Sequence, residues 1–180
     1  MNKIYQFKIS LNYSAPFIWR RVHVPSSFTF DNLHRVIQVL FNWDESHLHE
    51  FNAGKAFRGE KISGRTPLVS YFESPKQKAN YTYDFGDSWE HDILFEQWIE
   101  TTTALTHPLC VAGANNAPPE DCGGIPGYYS MLEIVQDKNH PDHESLKEWL
   151  GEDFDPTFFD MGTLNTQLKK IRGKKRKTDS

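Results

Sequence analysis

Cysteine is scarce: two in 180 residues, too few for a disulfide framework. Cys110 and Cys122 lie twelve apart with no CxxC, so no thiolate clamp for a metal is spelled out. No apolar run approaches the length of a membrane span. The opening MNKIYQFKIS alternates and lacks the apolar core of a secretory signal. These absences lead to the expectation of a cytoplasmic chain with reduced thiols and no membrane partner. A broad basic face is missing as well. The net charge is −4, yet residues 169–177 carry seven Lys/Arg and no acid, while residues 1–168 hold 13 Lys/Arg against 23 Asp/Glu. An acidic body with a basic end argues against a dedicated nucleic-acid surface. Lys169–Lys177 offers at most weak, non-specific phosphate binding.

Aromatic residues are abundant, with 13 Phe, 7 Tyr and 5 Trp, which calls for a packed core. The sharpest local pattern is YTYDFGDSWEHDI at Tyr81–Ile93, two alternating runs around a Gly-Asp-Ser corner, and so a β-hairpin. A three-residue loop Gly86–Ser88 pairs Phe85 with Trp89, Tyr83 with His91 and Tyr81 with Ile93. It gathers Thr82, Asp84, Glu90 and Asp92 on the opposite face. Asp84 then stands across from Glu90, an unfavourable like-charge pair. Water, an arginine from elsewhere or a bound cation would relieve it.

Tyr5, Phe7, Ile9 and Leu11 alternate with polar residues and predict a half-buried strand. Phe17–Val24 predicts a second, antiparallel strand, apolar on both faces and so covered on both sides. Arg20 and Arg21 sit inside it and call for carboxylate partners. Thr29 caps a helix over residues 30–42, with Asp31 in its first turn. His47–Phe51 reads as a strand, 53–66 as a loop, and Pro67–Phe72 is not assignable. Val111–Gly127 holds four Gly, three Pro and two Asn and reads as a long loop. Helices follow at Gly127–Asp137, after Pro141 as far as Gly151, and at Met161–Ile171. The expected fold is α+β: one domain over residues 1–172, a mostly antiparallel mixed sheet with helices packed against it, then a basic disordered tail over 173–180.

The motifs Pro16-Phe17-Ile18-Trp19-Arg20-Arg21, Tyr83–His91, Pro118-Pro119-Glu120-Asp121, Gly123–Tyr128 and Phe154-Asp155-Pro156, in that order, resemble the plasmid pRiA4b Orf-3-like family over residues 3–171. The resemblance implies a single α+β domain and brings no activity with it. Some members of that family are labelled transposon resolvases or adjoin a repressor-type DNA-binding domain, which implies a mobile-element setting. Neither a helix-turn-helix nor a resolvase catalytic region is legible here. Many members read Ala-Arg-Ala-Cys before Pro-Pro-Glu-Asp, where this chain has Ala114-Asn115-Asn116-Ala117, so thiol chemistry does not carry over.

Asp84, Asp87, Glu90, His91, Glu120 and Asp121 offer oxygen and imidazole donors, and His47-x-His49 puts two imidazoles on one strand face. None of these sets has a diagnostic metal spacing, so neither a metal nor another cofactor is expected. Cys122 precedes a helix, but Glu120 and Asp121 would raise its pKa, which favours an inert thiol. The leading expectation is a non-enzymatic binding module for a protein or small-molecule partner. Its surface would be Asp84, Asp87, Trp89, Glu90 and His91 with the 118–127 loop, including Glu120 and Asp121, and Arg20 or Arg21 as counter-charge. The alternatives are a metal-assisted hydrolase using the same carboxylates with a histidine, and a DNA-associated accessory protein.

Overall fold

The computed structural model describes residues 2–54, 59–151 and 153–173. Strands β1 (Asn2–Leu11) and β2 (Trp19–Pro25) precede helix α1 (Phe30–Leu40). Then come β3 (His49–Ala53), β4 (Glu60–Ile62), the short helix α2 (Leu68–Tyr71), β5 (Lys78–Tyr83), β6 (Trp89–Thr101) and β7 (Leu109–Ala114). Helices α3 (Gly124–Gln136), α4 (His143–Leu150) and α5 (Met161–Leu168) complete the order. The strands form one sheet, β4-β3-β5-β6-β1-β2-β7, antiparallel at every pairing. This is the expected α+β architecture. Of the predicted basic tail, residues 174–180 lie outside the described residues.

Alternation decides the two faces of the sheet. Tyr5, Phe7, Ile9 and Leu11 of β1 point inward beside Val22, Val24, Phe51, Tyr81, Tyr83, Trp89, Ile93 and Phe95, all buried. Helix α1 lies over this face. Its N-terminus is a capping box: Thr29 Oγ1 accepts from Asn32 N, and Asn32 Oδ1 accepts from Thr29 N. Phe30, Leu33, Val36, Ile37 and Leu40 are buried against the strands, each worth about 1.5–3 kcal/mol of transfer free energy. The other face is polar. Arg21 forms a two-pronged ion pair with Glu96 at 2.6 and 2.7 Å, and Gln6 adds a bond to the same carboxylate. β2 is therefore not covered on both sides. Lys8 and Arg21 lie over the Trp19 ring instead of a second layer of structure.

Three segments differ from the sequence reading. Residues read as loop at 53–66 include β4, and Pro67–Phe72 contains α2. The long loop predicted from Val111 begins as the edge strand β7. Each of these elements is short and presents a single mostly or fully buried side chain, Ile62, Leu68 and Cys110 respectively, too little to register as a period.

Arg20 does not meet a carboxylate. Its Nε donates to Leu40 O at 3.0 Å, and its Nη1 donates to Trp19 O at 2.8 Å and Ala114 O at 2.9 Å. The guanidinium lies over Phe41 and Phe159. Burial lowers its pKa to about 10, which leaves it charged at neutral pH. One cation thus ties the C-terminal end of α1, where the helix dipole favours it, to β2 and the end of β7.

Arg20→Met should destabilise the fold by about 3 kcal/mol, because three carbonyls, one buried and two part-buried, lose charged donors. Arg20→Lys should recover only part of this; urea unfolding reads both. Acid sensitivity is also built into the core. Burial presses His34 and His91 down to about 3, against about 6.5 in an unfolded chain. Between those values the unfolded chain binds more protons. Stability should therefore be full above about pH 6.5 and fall as pH drops towards 3. The slope between pH 6.5 and 5, before most carboxylates titrate, should be reduced in His34→Gln, as read from urea midpoints.

Candidate functional site

One end of the sheet collects three loops. His49 opens β3 opposite Tyr83, which closes β5, and Tyr83 pairs with Trp89, which opens β6. Ala114 at the end of β7 pairs with Trp19 at the start of β2. The α1–β3 loop (41–48), the β5–β6 turn (84–88) and the β7–α3 loop (115–123) consequently emerge side by side.

The β5–β6 turn corrects the predicted hairpin. The observed pairs are Tyr83 with Trp89, Tyr81 with His91 and Thr82 with Glu90, so five residues turn, not three. Asp84 and Ser88 take left-handed backbone, φ 53° and 55°, and Ser88 N donates to Asp84 O at 2.6 Å. Phe85 leaves the wall of rings and is 47% exposed. Asp84 no longer opposes Glu90; its Oδ1 accepts from Gly86 N within the turn.

The loops are stitched together. Tyr83 Oη donates to Glu120 Oε1 and accepts from His47 N. Trp43 stacks on Tyr83 with centroids 5.1 Å apart, and its Nε1 donates to Pro118 O at 3.0 Å. Asp87 Oδ2 accepts from Gly123 N at 3.1 Å. Gly124 has φ +68°, and a Cβ there would lie 2.3 Å from Asp87 O, so this approach of loop to turn requires glycine. Burial, helped by the Glu120 carboxylate, pushes Tyr83 up to about 12, which keeps its proton in place to be donated. Burial and the neighbouring Asp44 hold Glu120 above the usual carboxylate range, while the Tyr83 hydroxyl pulls the other way.

His47, Asp84 and Asp121 meet at the centre, one donor atom from each lying within 4.8 Å of the others. His47 Nε2 is 3.0 Å from Asp121 Oδ1 and 3.8 Å from Asp84 Oδ2. That nitrogen is shielded from solvent and makes no hydrogen bond with either carboxylate. Asp121, with φ 57° and a side chain 70% exposed, also rims an open groove of about 350 Å³ between α3 and α4. Met131, Ile134, Leu146 and Trp149 line it.

The predicted site residues separate into two groups. Asp84, Asp87, Glu120 and Asp121 converge as expected. Trp89 and His91 are wholly buried and belong to the core instead of a recognition surface, because the alternation that sets the hairpin turns them under α1. Glu90 lies on the opposite face of the sheet. Neither arginine serves as counter-charge here, Arg20 being held by carbonyls and Arg21 by Glu96. The His47-x-His49 pair does not converge: His49 stacks on His34 with centroids 3.6 Å apart. Burial and then Asp87 push the Cys122 thiol up to about 12, which disfavours the thiolate. Trp43 and Asp44 were not singled out from sequence. The aromatic-acid pair at the end of a helix was the available signal.

The family model for the plasmid pRiA4b ORF-3-like protein matches residues 3–163. The chain belongs to that family, as the motifs suggested. It is 31% identical to the uncharacterized protein y4hQ of Sinorhizobium fredii, over 95% of this chain and 93% of the relative. It is also similar to a crystal structure of a protein of unknown function from Methanosarcina mazei, with TM-score 0.80 and 38% identity, covering 89% of this chain and 97% of that one. Among the described residues no helix is long and apolar enough to cross a membrane.

Tyr83→Phe keeps the ring and removes the bridge. It should cost about 1–3 kcal/mol and raise hydrogen exchange at the His47 amide, while exchange in β1 and β6 stays unchanged.

Proposed function

We propose that the protein is a non-enzymatic binding module that takes a cationic group at the corner formed by Asp84, Asp87, Glu120 and Asp121 and an apolar group in the neighbouring groove. The observation that carries this is the concentration of uncompensated charge. Among the described residues no lysine or arginine pairs with Asp44, Asp84, Asp87, Glu120 or Asp121. These carboxylates sit on loops fixed to one another before any ligand arrives, which lowers the ordering cost of binding. The groove adds apolar walls, and Trp149, half exposed at 50%, is the kind of side chain that anchors a partner. A few convergent polar groups beside an apolar cleft are the usual make-up of a ligand site.

Phenethylamine and 3-phenylpropionate share a ring and differ in the sign of charge. In saturation-transfer NMR with the full chain, the amine should receive transfer and the acid should not. The amine signal should fall at least several-fold in Trp149→Ala and in Asp121→Asn. Equal transfer to both compounds, or an amine signal indifferent to both substitutions, would overturn the proposal.

A further inference from the structure

We infer that His47, Asp84 and Asp121 form a binding site for a divalent first-row transition ion, the first occupant of the acidic corner. This deepens the proposed function and rests on it. Three observations meet here. The donor atoms of three residues from three separate loops lie within 4.8 Å of one another. The imidazole nitrogen at the centre, shielded from water, faces two carboxylates and is hydrogen-bonded to neither. The surrounding acids have no lysine or arginine partner among the described residues. A ring nitrogen held 3.0 Å from a carboxylate oxygen, outside hydrogen-bond geometry, is an arrangement that a cation between them stabilises.

The residues behind the donors are set as a metal site requires. His47 is anchored through its backbone N–H to Tyr83 Oη. Asp84 spends Oδ1 on Gly86 N and its own N–H on Leu48 O, which leaves Oδ2 aimed at His47. Fixed outer partners of this kind orient metal ligands. With bonds of about 2.0–2.2 Å, a tetrahedral ion holds its donors about 3.3–3.6 Å apart. The donor atoms here lie within 4.8 Å of one another, and rotation of the exposed Asp121 side chain draws them in. One imidazole with two carboxylates suits Zn²⁺ or Mn²⁺ better than Ca²⁺, which takes oxygen ligands. Three protein ligands leave coordination positions open toward the groove that Asp121 rims, where a ligand's donor atom would complete the shell.

The test uses the full chain, purified without a histidine tag, stripped with chelator and titrated with Zn²⁺ and with Mn²⁺ by calorimetry. One equivalent should bind, with a rise in thermal midpoint. His47→Ala and Asp84→Asn should each weaken binding at least tenfold, and Asp92→Asn, which alters a carboxylate on the outer sheet face, should leave it unchanged. If His47→Ala fails to fold, Asp121→Asn carries the same expectation at an exposed position. No binding up to about 1 mM metal, or binding unaltered by the ligand substitutions, overturns the inference. If phenethylamine still binds while neither metal does, the metal site falls and the acidic binding corner stands. If metal binds and the amine does not, the cation-and-groove module falls and the metal site remains.

Discussion

The hydroxyl of Tyr83 is the point on which the loop-bearing end of the molecule depends. Its ring belongs to the core and is wholly buried. Its oxygen emerges at the boundary and serves two loops at once, donating to Glu120 and accepting from His47 N. A buried hydroxyl without partners costs about 1–3 kcal/mol, so the same atom that needs satisfying also fixes the α1–β3 and β7–α3 loops against the sheet. Trp43, stacked on the Tyr83 ring and bonded to Pro118 O, adds a second tie between the same two loops. The positions of His47 and Asp121 follow from the core outward.

Charge divides the molecule into two regimes. On the outer sheet face Arg21 meets Glu96 and Lys78 approaches Asp92, so acids and bases neutralise one another. At the loop corner the acids instead hold backbone N–H groups: Asp84 that of Gly86, Asp87 that of Gly123, Glu120 that of Asp44. Such bonds stabilise the carboxylates without cancelling their field. Among the described residues no lysine or arginine pairs with these carboxylates.

Much of this was legible in the sequence, and the misses have physical reasons. The hairpin faces were read correctly because alternation specifies which side a residue takes. The turn length was not, because moving the pairing by two residues, from Tyr83–His91 to Tyr83–Trp89, preserves the face of every residue that stays in a strand, and only Phe85, drawn into the turn, leaves the aromatic wall. Only the left-handed backbone at Asp84 and Ser88 separates the two registers, and Asp and Ser are permissive enough there to give no clear signal. Thr29 and Asp31 announced α1, and Leu164 and Leu168 announced α5. The edge strands β4 and β7 were silent because an edge buries so little. The convergence of Asp84 with Asp121 was expected because core packing does not account for the acids and the Gly/Pro loop, whereas the part of His47 was obscured by pairing it with His49. A strand carries both imidazoles on one side, but His47 precedes β3 and turns towards the loops, while His49 goes under α1.

The partners of Arg20 are all main-chain oxygens, from Leu40, Trp19 and Ala114. Every amino acid carries that atom, so positions 19, 40 and 114 can exchange side chains without loosening the clasp, within the limits of space. The guanidinium itself has no such latitude, because its fork reaches three oxygens that a point charge could not span. Drift in this region is therefore lopsided: one residue is pinned by geometry while the three it grips remain chemically anonymous.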